Sequence, residues 1–282
     1  MERSEDFKKY LANKHKGGEN NQKGGLYEDY YAVYLIVSCI AKFKSKLDAV
    51  SFQTQLEDTF VDDLLVAFPN KNVYHQLKNA KKVVWGKKEK IGDIAFDFSH
   101  QIEDCKERDE DFALKLIYSA DDAQVNTNMP TEIKKYAKAE RFPYREDLNH
   151  LVLMSKDFKK ALRDISAEGD NATDDVLVVI ATRFLGVWKC SDNKSRISLS
   201  EIVKRVEAQS WANIAIFPDA RISEECKSVL DATVGLEYRI QGKMLYWNIG
   251  SVSGSFIVSK ELEEYIINNR PSTKKDFLTM TF

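Results

Sequence analysis

Paired cysteines are missing from this chain of 282 residues: Cys39, Cys105, Cys190 and Cys226 stand apart, and His15, His75, His100 and His150 are equally scattered. That spacing excludes a legible zinc motif and a disulfide framework. Reduced thiols are what a cytoplasmic protein carries. The polar N-terminus has no apolar h-region, so no secretory signal is expected. The longest apolar helical stretch, around Tyr30 to Phe43, falls short of a membrane span and contains polar breaks, so no membrane association is expected. There is no P-loop, no Rossmann glycine fingerprint and no cysteine nucleophile beside a base. A charge of one dominant sign is lacking too: 42 Lys+Arg against 44 Asp+Glu leave a net charge of −2, which does not announce a nucleic-acid binder.

What the chain does have is length and a local charge pattern. At 43% hydrophobic it can bury a sizeable core, and 282 residues favour two domains over one. Between residues 71 and 90 stand seven lysines against a single acid, Glu89. Such a stripe, with Lys81, Lys82, Lys87 and Lys88 at its centre, can track a phosphate backbone; it can equally be a solvated face. Trp85, set among those lysines, could stack on a base or pack against the domain.

Hydropathy patterning sketches the elements. A short amphipathic helix over Asp6 to Asn13 precedes a polar loop from Lys16 to Gly25. Leu26, Tyr30, Val33, Tyr34, Val37 and Ile40 recur at helical period, with Glu28 and Asp29 placed in the first turn of that helix. Strands are expected over Ala49 to Leu56, Asp63 to Phe68 and Val73 to Lys78, then a helix over Ile91 to Cys105 and a strand over Phe112 to Ser119. Thr131 to Glu140 reads as a helix capped by Thr131. Past Pro143 come one or two helices over Leu148 to Ile165, an apolar run at Val176 to Ile180 open to either strand or helix, and helices at Ser200 to Gln209 and Ile222 to Ala232. A hairpin follows around Gln241-Gly242. This order predicts an α/β domain over residues 1–145 and an α+β domain over 146–282, the latter in an order that a winged-helix-like module would have.

The residues that could carry chemistry lie on the expected hairpin. Gln76 and Lys78 are two apart, so on a strand they share a face. If Pro69 to Asn72 turn the chain, residue 63 falls opposite 78, and a slip of one residue puts residue 62 there instead. Either way an aspartate, Asp62 or Asp63, stands beside Lys78. Metal-dependent phosphodiester hydrolysis needs hard oxygen ligands, a held water and nearby positive charge. Glu28 on the preceding helix, Asp62/Asp63 and Gln76-Leu77-Lys78 offer those parts in that order; a salt-bridged surface hairpin would offer them too.

These segments resemble the PD-(D/E)xK nuclease superfamily, and more narrowly the double-stranded DNA endonuclease effectors of bacterial anti-phage systems, whose last motif is commonly Q-x-K. The resemblance runs over about residues 20–120. It is carried by Gly24-Gly25-Leu26-Tyr27-Glu28-Asp29-Tyr30-Tyr31, by Glu57 followed by Asp62-Asp63-Leu64, and by Tyr74-His75-Gln76-Leu77-Lys78. It implies a restriction-endonuclease-like mixed sheet flanked by helices. It implies Asp63 as main ligand of Mg²⁺ or Mn²⁺, with Asp62 the alternative, and Gln76 as a second ligand. Lys78 would act on the attacking water and the phosphorane charge, Glu28 would be the helix acid, and Glu57 is a weaker candidate. The implied partners are duplex DNA, proteins of a defence complex such as an ATPase, and a second copy where two sites cut two strands. The neutral Gln76 leaves room for an inactive scaffold or DNA-clamp subunit built on the same fold.

Overall fold

The computed structural model describes residues 5–10, 22–121, 124–209, 214, 220–241 and 244–280. The chain divides into two compact units, one of residues 1–162 with 173–209, the other of residues 163–172 with 210–282. This differs from a single boundary at 145/146. The helices of 148–162 and 173–209 belong with the N-terminal sheet, and a short strand at 197–198 joins it.

In the first unit, helix α1 covers residues 5–10 and α2 covers Gln22–Phe43. The expected polar loop lies outside the described residues for 16–21, whereas 22–25 form the first turn of α2. Strands β1 (Ser51–Thr54), β2 (Leu64–Phe68) and β3 (Lys71–Lys78) follow, then α3 (Ile94–Glu107) and β4 (Phe112–Tyr118). Two four-residue helices, α4 (Gln124–Thr127) and α5 (Thr131–Lys134), lead into β5 (Ala137–Arg141). The helix expected over Thr131 to Glu140 therefore stops after one turn, and Pro130 rather than Thr131 occupies its N-cap. Parallel pairing of Ala137 with Leu114 and of Ala139 with Leu116 overrides the local helical pattern, because it buries both alanines on the sheet.

Helices α6 (Leu148–Met154), α7 (Lys156–Ile165) and α8 (Asp174–Cys190) come next, then the strand β6 (Ile197–Ser198) and α9 (Leu199–Gln209). The apolar run 176–180 is resolved as helix. Thr173 accepts a hydrogen bond from Val176 N at the N-terminus of α8, and Asp174 and Asp175 place negative charge in its first turn.

The six strands form one mixed sheet in the order β5-β4-β3-β2-β1-β6. Strands β6, β1, β2 and β3 are antiparallel neighbours, while β3, β4 and β5 run parallel. The unit is thus mixed α/β with helices flanking the sheet. Strand β2 is buried along almost its whole length, which explains why Leu64-Leu65-Val66-Ala67 is apolar without alternation. On one face Leu65, Tyr74, Leu114 and Leu116 pack with Phe98 and Ile102 of α3. On the other, Tyr31 of α2 meets the His75 ring at 5.7 Å.

In the second unit, α10 (Glu224–Ala232) precedes an antiparallel meander of β7 (Leu236–Gln241), β8 (Met244–Ile249) and β9 (Val252–Ile257). Helices α11 (Lys260–Asn269) and α12 (Lys274–Thr279) follow. Ser223, Ser259 and Thr273 cap the three helices through their side chains. The expected hairpin pairs Gln241 with Met244, and its turn lies outside the described residues. A winged-helix order would need α9 beside α10. Instead α9 belongs to the first unit, and a third strand extends the hairpin. Leu245, Trp247, Leu262 and Phe277 form the core. Gly254 is required there, because an added Cβ would lie 2.7 Å from the Trp247 ring. Among the described residues no helix is long and apolar enough to cross a membrane.

Candidate functional site

The hairpin turns on two residues, Pro69 and Asn70, since Phe68 faces Lys71 and Leu64 faces His75. Continuing that register by one position sets Asp63 beside Gln76 and leaves Lys78 facing Val61. The expected 63–78 and 62–78 pairings are therefore corrected. A two-residue loop is shorter than the four-residue turn they presumed, and it suits the twist of paired strands. Asp63 Oδ2 accepts hydrogen bonds from the Gln76 side-chain amide and the Leu77 backbone N–H, each at 2.6 Å. Both donors use the same oxygen, so Oδ1 stays clear of them.

The segment entering β2 is held from α3. Gln101 Oε1 accepts from the backbone N–H of Phe60 at 2.9 Å and of Val61 at 3.1 Å. Gln101 is fully buried and anchors the approach to Asp62 and Asp63. Sequence reasoning did not single it out, and only its place on the apolar face of α3 hinted at it.

Glu28 reaches the same edge from α2. It stands in the second turn of that helix rather than the first, because α2 begins at Gln22, so the helix dipole does not account for it. Burial, then the charges of Asp63, Asp29 and Asp62, push its carboxyl up from 4.5 to about 8, while Lys78 draws it down. Those influences place Glu28 within electrostatic reach of Asp62, Asp63 and Lys78. Gln55 Nε2 donates to Glu28 Oε2 at 3.4 Å, a long contact from the loop after β1. Asp29 is committed elsewhere, to an ion pair with Lys189 of α8 at 2.6 Å. Asp62 is buried, whereas Glu57 lies exposed in the connection from β1 to β2.

Other candidates separate from this group. His75 points to the opposite face, where burial lowers its pKa to about 3 and Nδ1 lies 3.2 Å from the Leu64 carbonyl oxygen. The Trp85 indole is spent on the core: Nε1 donates to Val125 O at 2.7 Å and the ring meets Phe98 edge-on at 5.2 Å. Lys81, Lys82, Lys87 and Lys88 are exposed. The loop bearing Lys87 is tied down by Lys87 N donating to Asp93 Oδ2 at 2.9 Å, and Lys88 lies 4.0 Å from Glu89. A concavity of about 510 Å³ in the second unit, on the meander near Arg239 and Tyr246, contains none of these residues.

A hard divalent ion would find carboxylate and amide oxygens here. Asp63 offers Oδ1, Gln76 has an amide oxygen, and Asp62 lies alongside. The mutual repulsion registered in the Glu28 carboxyl is the kind that a cation relieves. Among the described residues no three His, Cys, Asp or Glu side chains are gathered as a ready-made metal cage, so the amide of Gln76 would have to complete the set. Compared with known proteins, the chain matches no family model, no curated protein and no solved structure.

Proposed function

We propose that the chain is a divalent-metal-dependent DNA endonuclease of the restriction-endonuclease-like kind, acting as the effector of a bacterial anti-phage defence complex. The observation that supports this reading is the Asp63–Gln76 contact on one hairpin, with Glu28 close enough for Asp63, Asp62 and Lys78 to shift its carboxyl, in the chain order the PD-(D/E)xK resemblance implies. Asp63 and Gln76, with Asp62 beside them, would hold Mg²⁺ or Mn²⁺, which when bound supplies Lewis-acid stabilisation of a phosphoryl oxygen and a more acidic water. Lys78 adds positive charge where the phosphorane develops. Glu28, with a carboxyl near neutrality, is suited to hold or release a proton at working pH. The second unit would serve as the sensor or docking module, and a second copy would supply the site for the opposite strand.

The test is cleavage of supercoiled and linear duplex DNA by the purified full chain with Mg²⁺ or Mn²⁺. Lys78→Ala should lower the rate by at least about 100-fold while leaving the melting temperature unchanged. Intact DNA under all metal conditions, with and without partner proteins, overturns the reading.

One observation favours a second reading, a non-catalytic scaffold or DNA clamp. The Gln76 amide donates to Asp63 and so occupies a carboxylate oxygen with a neutral partner. For a scaffold, Mn²⁺ should leave the melting temperature unmoved in both the native chain and Asp63→Asn.

A further inference from the structure

Strands β3, β4 and β5 run parallel and end together, and their continuations enclose an open cleft of about 380 Å³. The ladder runs past the strand ends: Ser119 N donates to Lys78 O at 3.2 Å and Phe142 N to Tyr118 O at 2.9 Å. Ligands of open α/β sheets bind outside the carboxyl ends of the strands, which is where this cleft opens. Its charged lining is Lys81, Arg141 and Arg145 against Asp121 alone, an excess of two positive charges.

These cations are available. Lys81 is exposed and has no ion-pair partner among the described residues. Arg141 lies 3.3 Å from Asp121, but their side chains are 49% and 89% exposed, so solvent screens the pair and an incoming anion can compete with it. Arg145 gives one donor to the Tyr144 carbonyl at 2.9 Å, which orients the guanidinium without neutralising it.

The cleft adjoins the acidic edge. Asn79, in its lining, directly follows Lys78. The Tyr144 ring of its wall packs edge-on against Tyr27, the residue before Glu28, with centroids 6.1 Å apart. An anion seated here and one seated at Asp63 and Lys78 would lie along one sheet edge. We infer that the cleft binds backbone phosphate of the same DNA strand, next to the reacting group, and so sets the register of that strand over Asp63 and Lys78. The inference rests on the proposed endonuclease reading for its substrate. Of the expected lysine stripe it keeps only Lys81, and it adds Arg141 and Arg145.

The experiment is fluorescence anisotropy of a labelled duplex on the full chain, with Ca²⁺ as the divalent ion, over a series of salt concentrations. The variant Lys81→Ala/Arg141→Ala changes only exposed side chains, and Arg145→Gln serves as a second, independent variant. Each should weaken binding, the double variant by at least about tenfold, with its salt slope falling by about 2, one for each phosphate deprived of its cation. Lys87→Ala/Lys88→Ala should leave affinity and slope unchanged. Unaltered affinity and slope in both cleft variants overturn the inference. Competition separates the two sources of phosphate: displacement of the duplex by inorganic phosphate at low millimolar concentration would make this a small-anion site and also overturn it. If Lys78→Ala abolishes cleavage while the cleft variants bind normally, the subsite fails and the nuclease stands. If no cleavage occurs but the cleft variants lose the duplex, the nuclease fails and the subsite stands.

Discussion

Replacing Glu28 by Gln should stabilise the protein, and by an amount that depends on pH. The carboxyl is raised from 4.5 to about 8, chiefly by burial and secondarily by Asp63, Asp29 and Asp62. Below the ordinary value, folded and unfolded chains both carry the proton, and the position costs nothing. As pH rises from 4.5 towards 8 the unfolded chain releases its proton while the folded chain retains it, so stability falls; above about 8 the loss is complete. Each pH unit in that window is worth about 1.4 kcal/mol, so the cost at neutrality is at most ~3.5 kcal/mol, and relaxation of the neighbouring carboxylates should reduce it to about 1–2 kcal/mol. Gln keeps the size of Glu and an oxygen for the long Gln55 contact, so packing is preserved.

The assay is urea denaturation of the full chain and of Glu28→Gln between about pH 5 and pH 9, with stability taken from the midpoints. The two should nearly coincide at the acid end, diverge steadily in favour of the variant, and run parallel at the alkaline end. Mn²⁺ should narrow the gap in the native chain, because a cation among the carboxylates relieves the repulsion. Parallel curves across the whole range would refute the account, for they would show Glu28 to be as well solvated when folded as when unfolded. A stabilising change at the residue proposed to handle a proton would be an instance of stability sacrificed at a functional site.

Asp63→Asn removes the charge that accepts from Gln76 and Leu77, and should cost about 1–3 kcal/mol while eliminating any melting-temperature rise on adding Mn²⁺; a preserved Mn²⁺ response excludes Asp63 as a ligand. Gly86→Ala should cost at least about 1–3 kcal/mol, since φ is +70° and an added Cβ would lie 2.3 Å from Asp93 Cγ; an unchanged melt would contradict that crowding. His75, held near pKa 3 by burial, should show no titration of its ring resonances from about pH 5 to pH 8. Because its folded value is lowered, its contribution to stability should fade as pH drops below about 6.5, where the unfolded chain begins to take up a proton.

Elements with a strong local pattern were legible: the apolar run of β2, the alternation of β3, the period of α3 and the run of β4 all form close to where the sequence places them. Failures occurred where a partner elsewhere decided the outcome. Ala137-Lys138-Ala139-Glu140 alternates in and out as a strand, but a helical reading was equally available until β4 offered a parallel edge. The aspartates and Lys78 were legible as a group on one hairpin. Their register was not, because it depends on whether two or four residues make the turn, and a change of two positions moves Lys78 from Asp63 to Val61.

By itself the sequence determined which residue types are present for chemistry, the mixed α/β character of the chain and the hairpin that bears Asp63 and Gln76, because these follow from short-range periodicity. Tertiary structure alone decided that Gln101 steadies the approach to the aspartates and that Glu28 is driven towards neutrality. It alone brought Arg141 and Arg145 beside Lys81 at the ends of three parallel strands. Each of those depends on burial or on groups from elements distant along the chain; Gln101 stands 40 residues beyond the Val61 it holds. Coupling of that kind leaves no trace in local spacing.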